Sequence, residues 1–122
     1  MGKFSTGLRS TYAASKHALH GFFDALRLES EKDNIKVTIL CPGFVQTNVS
    51  INALTGTGEK TNKMDDATAK GYTPEEFAYK ALKAIKSEKA EILIGGKELL
   101  LIYIKRFFPR LLPIILKRVK TT

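Results

Sequence analysis

Apolar residues recur at three- and four-residue intervals near the start of the chain. Ala14, Ala18, Phe22, Ala25 and Leu26 form one stripe, which Leu19 and Phe23 widen. The spacing predicts a helix that starts near Ser10 or Thr11, either of which can cap it, and fades by Asp33-Asn34. Small residues at Ala13, Ala14, Ser15 and Ala18 would let that face approach another backbone closely. The pattern then changes. Lys36-Val37-Thr38-Ile39-Leu40 is short, β-branched and apolar, and reads as a buried strand ended by Cys41-Pro42-Gly43. Residues 44–71 are polar with little periodicity and predict a long loop holding at most a short helix.

A second helix has every start signal: Thr73 caps, Pro74 takes the first helical position, and Glu76 can close a capping box. Phe77, Ala81, Leu82 and Ile85 carry its apolar face to about Lys86. Glu91-Ile92-Leu93-Ile94 predicts a second strand, with Gly95-Gly96 as its turn. A last helix is expected from Lys97 to about Phe108, stopped by Pro109, with Pro113 as a further interruption. Strands alternating with helices predict an α/β fold with a parallel sheet. Two parallel strands need more neighbours than this, so the expectation is the C-terminal part of a doubly wound sheet.

Charge divides the chain. The net charge is +8, but residues 1–96 contribute only +2 and residues 97–122 contribute +6. The division expected is a 1–96 domain portion and a 97–122 basic amphipathic tail. The tail alternates apolar blocks with basic pairs: Leu99–Ile104, Lys105-Arg106, Phe107-Phe108, Leu111-Leu112, Ile114–Leu116, Lys117-Arg118. That composition suits an interfacial segment, with a membrane surface met through residues 99–120. The alternative is that Leu99–Phe108 packs as a core helix and only the end is free. Nucleic acid is not expected as a partner, because the basic residues sit among Leu and Ile. The run Leu99–Ile104 is far shorter than the roughly 20 residues of a spanning helix. The first residues have no apolar stretch behind their charge, so no signal peptide is expected. Cys41 is the single cysteine, which excludes an internal disulfide and suits a reducing compartment. The expected location is cytoplasmic, with peripheral membrane association.

Tyr12 and Lys16 point to chemistry. Four residues apart on a helix, a phenol and an ammonium share a face. A nearby ammonium favours the phenolate and so readies the phenol for proton transfer to a carbonyl or alcohol oxygen. By spacing alone the pair is a weak signal, expected by chance about half a time in this composition. His17 and His20 lie three apart with no further ligand near in sequence, so no metal site is expected. Asp65-Asp66 sits in a polar loop without a catalytic partner.

Context raises the pair. Tyr12-Ala13-Ala14-Ser15-Lys16-His17-Ala18-Leu19, then a helix, then a strand ending in Cys41-Pro42-Gly43-Phe44-Val45-Gln46-Thr47, resembles the C-terminal half of a short-chain dehydrogenase/reductase. The stretch Gly21–Glu29 resembles the branch of 11β-hydroxysteroid dehydrogenases and membrane-associated relatives. The resemblance implies a Rossmann fold and hydride transfer between NAD or NADP and an alcohol or ketone. Tyr12 would be the acid/base. Lys16 would assist it and hold the nicotinamide ribose. Pro42 and Gly43 would shape the loop against the nicotinamide, Val45 would offer its backbone to the carboxamide, and Thr47 would hold the carboxamide or pyrophosphate. A hydrophobic substrate such as a steroid or lipid is expected, and a homo-oligomer is a further possibility, the tail then packing on a partner subunit. No glycine-rich turn after a first strand is found, and the family's serine would fall just before Met1. The 122 residues alone are therefore expected to be inactive and to bind nicotinamide cofactor poorly or not at all. The other class of reading is a non-catalytic membrane- or partner-binding module derived from such a reductase.

Overall fold

A computed structural model describes residues 1–54 and 57–118. The elements run α1 (Ser10–Glu29), a 3-10 turn (Glu31–Asp33), β1 (Ile39–Pro42), α2 (Asp66–Ala69) and α3 (Pro74–Lys86). They continue with β2 (Glu91–Ile94), a second 3-10 turn (Lys97–Leu99), α4 (Leu100–Phe107) and α5 (Leu112–Arg118). The two strands pair in parallel, Ile39 opposite Glu91 and Pro42 opposite Ile94. This is the α/β arrangement that the alternating pattern predicts.

The ladder explains a proline inside a strand. The Ile39 N–H donates to the Ala90 carbonyl at 2.9 Å and the Gly43 N–H to Ile94 at 2.7 Å. Residues 39, 41 and 43 therefore turn their backbone groups toward β2, while 40 and 42 face the open side. Pro42 has no N–H to give, and at its position none is asked for.

β1 starts three residues later than the apolar run suggests and takes in Cys41 and Pro42. Arg27 accounts for part of the shift. Its Nε donates to the Val37 carbonyl at 3.1 Å and its Nη2 to the Ala90 carbonyl at 2.9 Å. The Val37 carbonyl is thus held by a side chain and not by a strand. Neither Ser10 nor Thr11 caps α1. Arg9 stands at the cap, its carbonyl accepting from the Ala13 N–H at 2.8 Å, so Ser10 is already the first helical residue. α1 stops at Glu29, where the Ser30 hydroxyl folds back onto the Leu26 carbonyl. A 3-10 turn then carries the chain to Asn34, which takes the left-handed conformation with φ 56°.

α3 begins with the predicted capping box: the Glu76 N–H donates to Thr73 Oγ1, and the Thr73 N–H to the Glu76 carboxylate. In the tail, one predicted helix becomes a 3-10 turn followed by α4. Pro109 separates α4 from α5 as expected. Pro113 does not interrupt the chain again; it lies in the first turn of α5, where no intrahelical N–H is needed. Residues 119–122 of the predicted tail lie outside the described residues.

The core is slight. Ala13, Ala81, Ala84, Ile94 and Leu112 are the buried apolar side chains among the described residues. The accessible surface is 9487 Å². A compact monomer of this mass would expose about 6,600 Å². Much of the excess is large apolar groups, including Phe22, Leu28, Phe107 and Phe108. Such surface normally meets more protein or an apolar phase.

Candidate active site

The candidate residues lie on two structural elements. Tyr12 and Lys16 stand on the first two turns of α1. Tyr12 is exposed, and the Lys16 ammonium lies over its ring, 5.4 Å from the centroid. The i, i+4 spacing thus produces a cation–π stack on one helix face. Ala13, the residue beside Tyr12, is buried and anchors this end of the helix.

The second element is the segment leaving β1. Pro42 closes the strand, and the Gly43 N–H bonds to the last carbonyl of β2. Glu98, from the 3-10 turn after β2, secures this bend. Its Oε1 accepts the Gly96 N–H at 2.9 Å and the Phe44 N–H at 3.3 Å. A Cβ at Gly43 would overlap that carboxylate and lie 3.0 Å from the Gly95 Cα. A side chain at residue 43 would therefore have to displace the Glu98 carboxylate and crowd the Gly95 backbone.

Beyond it, Val45 forms a parallel bridge with Tyr72. The Tyr72 N–H donates to the Phe44 carbonyl at 3.0 Å, and the Gln46 N–H to the Tyr72 carbonyl at 2.8 Å. In that pattern the central residue's own N–H and C=O point away from the bridge, so the backbone of Val45 faces the opposite side. The Gln46 amide ties the segment down, donating to the carbonyls of Ala69 and Gly71 at 3.2 and 3.0 Å. Gly71 packs directly on the Phe44–Val45 backbone, where a Cβ would come within 2.9 Å of the Val45 nitrogen. Thr47 is exposed at the start of the following turn.

Pro42, Gly43, Val45 and Thr47 thus form one continuous shelf beyond the sheet, and Tyr12 and Lys16 form a separate stack. Among the described residues, no hydrogen bond or ion pair joins the stack to the shelf. Glu98, Gln46 and Gly71 support the shelf; Gln46 lies inside the segment that carries the family resemblance, but Glu98 and Gly71 lie in no motif. A lone acidic residue two positions after Gly95-Gly96 is the nearest thing to a signal. Asp65 has a structural role: it caps α2, accepting the Thr68 N–H at 2.8 Å and the Thr68 hydroxyl at 2.7 Å.

Comparison with known proteins sets this geometry in context. Residues 1–57 match the short chain dehydrogenase family. The chain is 50% identical over 94 residues to the Dehydrogenase/reductase SDR family protein 7-like of Anopheles gambiae, covering 77% of this chain and 30% of that protein. It is 44% identical over 111 residues to the Dehydrogenase/reductase SDR family member 7B of Xenopus laevis, covering 90% and 34%.

The chain belongs to the short-chain dehydrogenase/reductase family.

It spans about a third of the length of the curated relatives it matches. The short-chain dehydrogenase/reductase match reaches through α1, β1 and the whole shelf, so stack and shelf both lie inside it. No helix among the described residues is long and apolar enough to cross a membrane.

Proposed function

We propose that this chain carries the proton-transfer and nicotinamide-side part of an NAD(P)-dependent oxidoreductase acting on a hydrophobic alcohol or ketone. The observation that carries the reading is the Tyr12–Lys16 stack, exposed at the head of α1. Tyr12 gives its phenolic proton to the carbonyl oxygen during reduction, and takes the alcohol proton in the reverse direction. Lys16 stabilises the negative charge that then appears on the phenol.

The residues of the shelf fit a nicotinamide cofactor. The backbone N–H and C=O of Val45 are turned outward, as a carboxamide needs, and the Thr47 hydroxyl is exposed beside them. Pro42 and Gly43 set the bend, and Lys16 would reach the ribose. The cofactor, when bound, supplies or accepts the hydride.

The test is a chimera. These 122 residues replace the corresponding segment of the Xenopus laevis member 7B, and NAD(P)H-dependent reduction of a panel of hydrophobic ketones is followed. The chimera is expected to turn over, with Tyr12→Phe slowing it by about 10²- to 10⁴-fold. An active chimera in which Tyr12→Phe changes nothing would overturn the assignment. The isolated 122 residues should show no micromolar cofactor binding by calorimetry.

A second reading concerns the tail. Phe107, Phe108, Leu111 and Ile114 are exposed beside Lys105, Arg106 and Arg110, which is the composition of a peripheral membrane contact. The chain is expected to sediment with vesicles of phosphatidylserine and phosphatidylcholine, and far less with phosphatidylcholine alone. Arg106→Glu with Arg110→Glu should abolish the difference; unchanged binding would refute this reading.

A further inference from the structure

The fold brings together three side chains that are far apart in sequence. Ile39 and Cys41 share one face of β1, and Glu91, opposite Ile39 in the parallel register, shares the same face. His20 of α1 comes to the same place. Cys41 Sγ lies 3.8 Å from His20 Nε2, and a Glu91 carboxylate oxygen lies 3.6 Å from His20 Nδ1. One donor atom from each residue can be chosen so that all three lie within 4.8 Å of one another. We propose that His20, Cys41 and Glu91 form a zinc-binding site.

The donor set argues for that metal. Sulfur, imidazole nitrogen and carboxylate oxygen together suit a borderline-soft divalent ion, and Zn²⁺ takes all three. With bonds of about 2.0–2.3 Å in a tetrahedron, the ligand atoms sit roughly 3.3–3.7 Å apart. The two close contacts use opposite ring nitrogens of His20, so only one of them can serve the ion, and the His20 and Glu91 side chains must turn until one imidazole nitrogen, the sulfur and one carboxylate oxygen, now within 4.8 Å of one another, face a common point. Two of the ligands come from adjacent strands and the third from a packed helix, so the site stands on regular elements and not on a loop. His20 and Glu91 keep 16% and 35% of their side chains exposed, which leaves a path for the ion.

One of the three ligands already has a cation as partner. The Lys3 ammonium pairs with the Glu91 oxygen that faces His20. Zinc would replace the Lys3 ammonium. The Zn–S bond forms as the Cys41 proton leaves to solvent, and no electron changes hands. Three protein ligands leave the fourth position to water.

The purified chain is titrated with Zn²⁺ against a chromophoric chelator, and with Co²⁺ under ultraviolet–visible absorption. One equivalent should bind, and Co²⁺ should give a thiolate-to-metal charge-transfer band. Cys41→Ser should remove the band, and both Cys41→Ser and Glu91→Gln should weaken Zn²⁺ by about tenfold or more. Lys3→Met removes the competing ammonium and should tighten binding, so the site remains testable if Cys41→Ser fails to fold. His17→Ala, on the same helix, should change nothing. A Co²⁺ spectrum without the sulfur band, or Zn²⁺ affinity unchanged in folded Glu91→Gln and in Lys3→Met, would overturn the proposal.

Discussion

Glu98 and Gly43 compete for one volume: the Glu98 carboxylate fills the space that any side chain at position 43 would need. The same carboxylate holds the N–H groups of Gly96 and Phe44 and so locks the two strand ends together. Gly43→Ala must push Glu98 aside, and the shortfall cannot be met by backbone movement because Gly95 is also close. The cost expected is about 1–3 kcal/mol. Glu98→Ala alone loses its hydrogen bonds but makes room. The double variant should therefore be more stable than the sum of the two losses, by roughly 0.5–3 kcal/mol in urea denaturation. Strict additivity would show that Glu98 does not occupy the space.

Arg27 supports the entrance to the sheet in the way Glu98 supports its exit. Its guanidinium reaches the carbonyls of Val37 and Ala90 and the Asp24 carboxylate at 2.7 Å. Three directions at once require a planar fork. Lysine offers a single point charge and cannot reproduce it. Arg27→Ala and Arg27→Lys should both lower stability, by about 1.5–3 kcal/mol for the alanine variant, since charge-assisted bonds to carbonyls are lost. Near wild-type stability of Arg27→Lys would mean that one contact carries the effect.

What could be read from the chain follows the range of the interactions involved. The start of α3 is written within four residues, Thr73 to Glu76, and appears in the structure as predicted. β2 has a clean apolar run bounded by Gly95-Gly96 and keeps its predicted limits. β1 does not, because its start depends on Arg27, ten residues away from Val37, and on the partner strand. The Tyr12–Lys16 stack is legible because it lies within little more than one helical turn. The support of the shelf is not: Glu98 reaches Phe44 across 54 positions, and His20 reaches Cys41 across 21. His20 looks ligand-poor in sequence for this reason, since its neighbours are supplied by sheet register.

Asp65 makes the cap of α2 depend on pH. Its carboxyl is held below the usual aspartate range, first by the Thr68 hydroxyl and then by the Thr68 N–H. Both bonds favour the charged form, so the folded-state pKa is lower than the unfolded one. Their contribution is then present above the unfolded value, about 3.9, and is lost as pH falls through the folded value. Above neutral pH it does not change. The Thr68 amide resonance, followed by NMR from pH 6 downward, should move with a midpoint below that of an ordinary aspartate. Asp65→Asn keeps a competent cap but has no proton to gain, so the Thr68 shift should become flat over the same range. A midpoint at or above the ordinary aspartate value would show that the cap is not formed in solution. Loss of the cap would then free residues 66–69 from their helical turn, and with them the Ala69 and Gly71 carbonyls that Gln46 uses to hold the shelf.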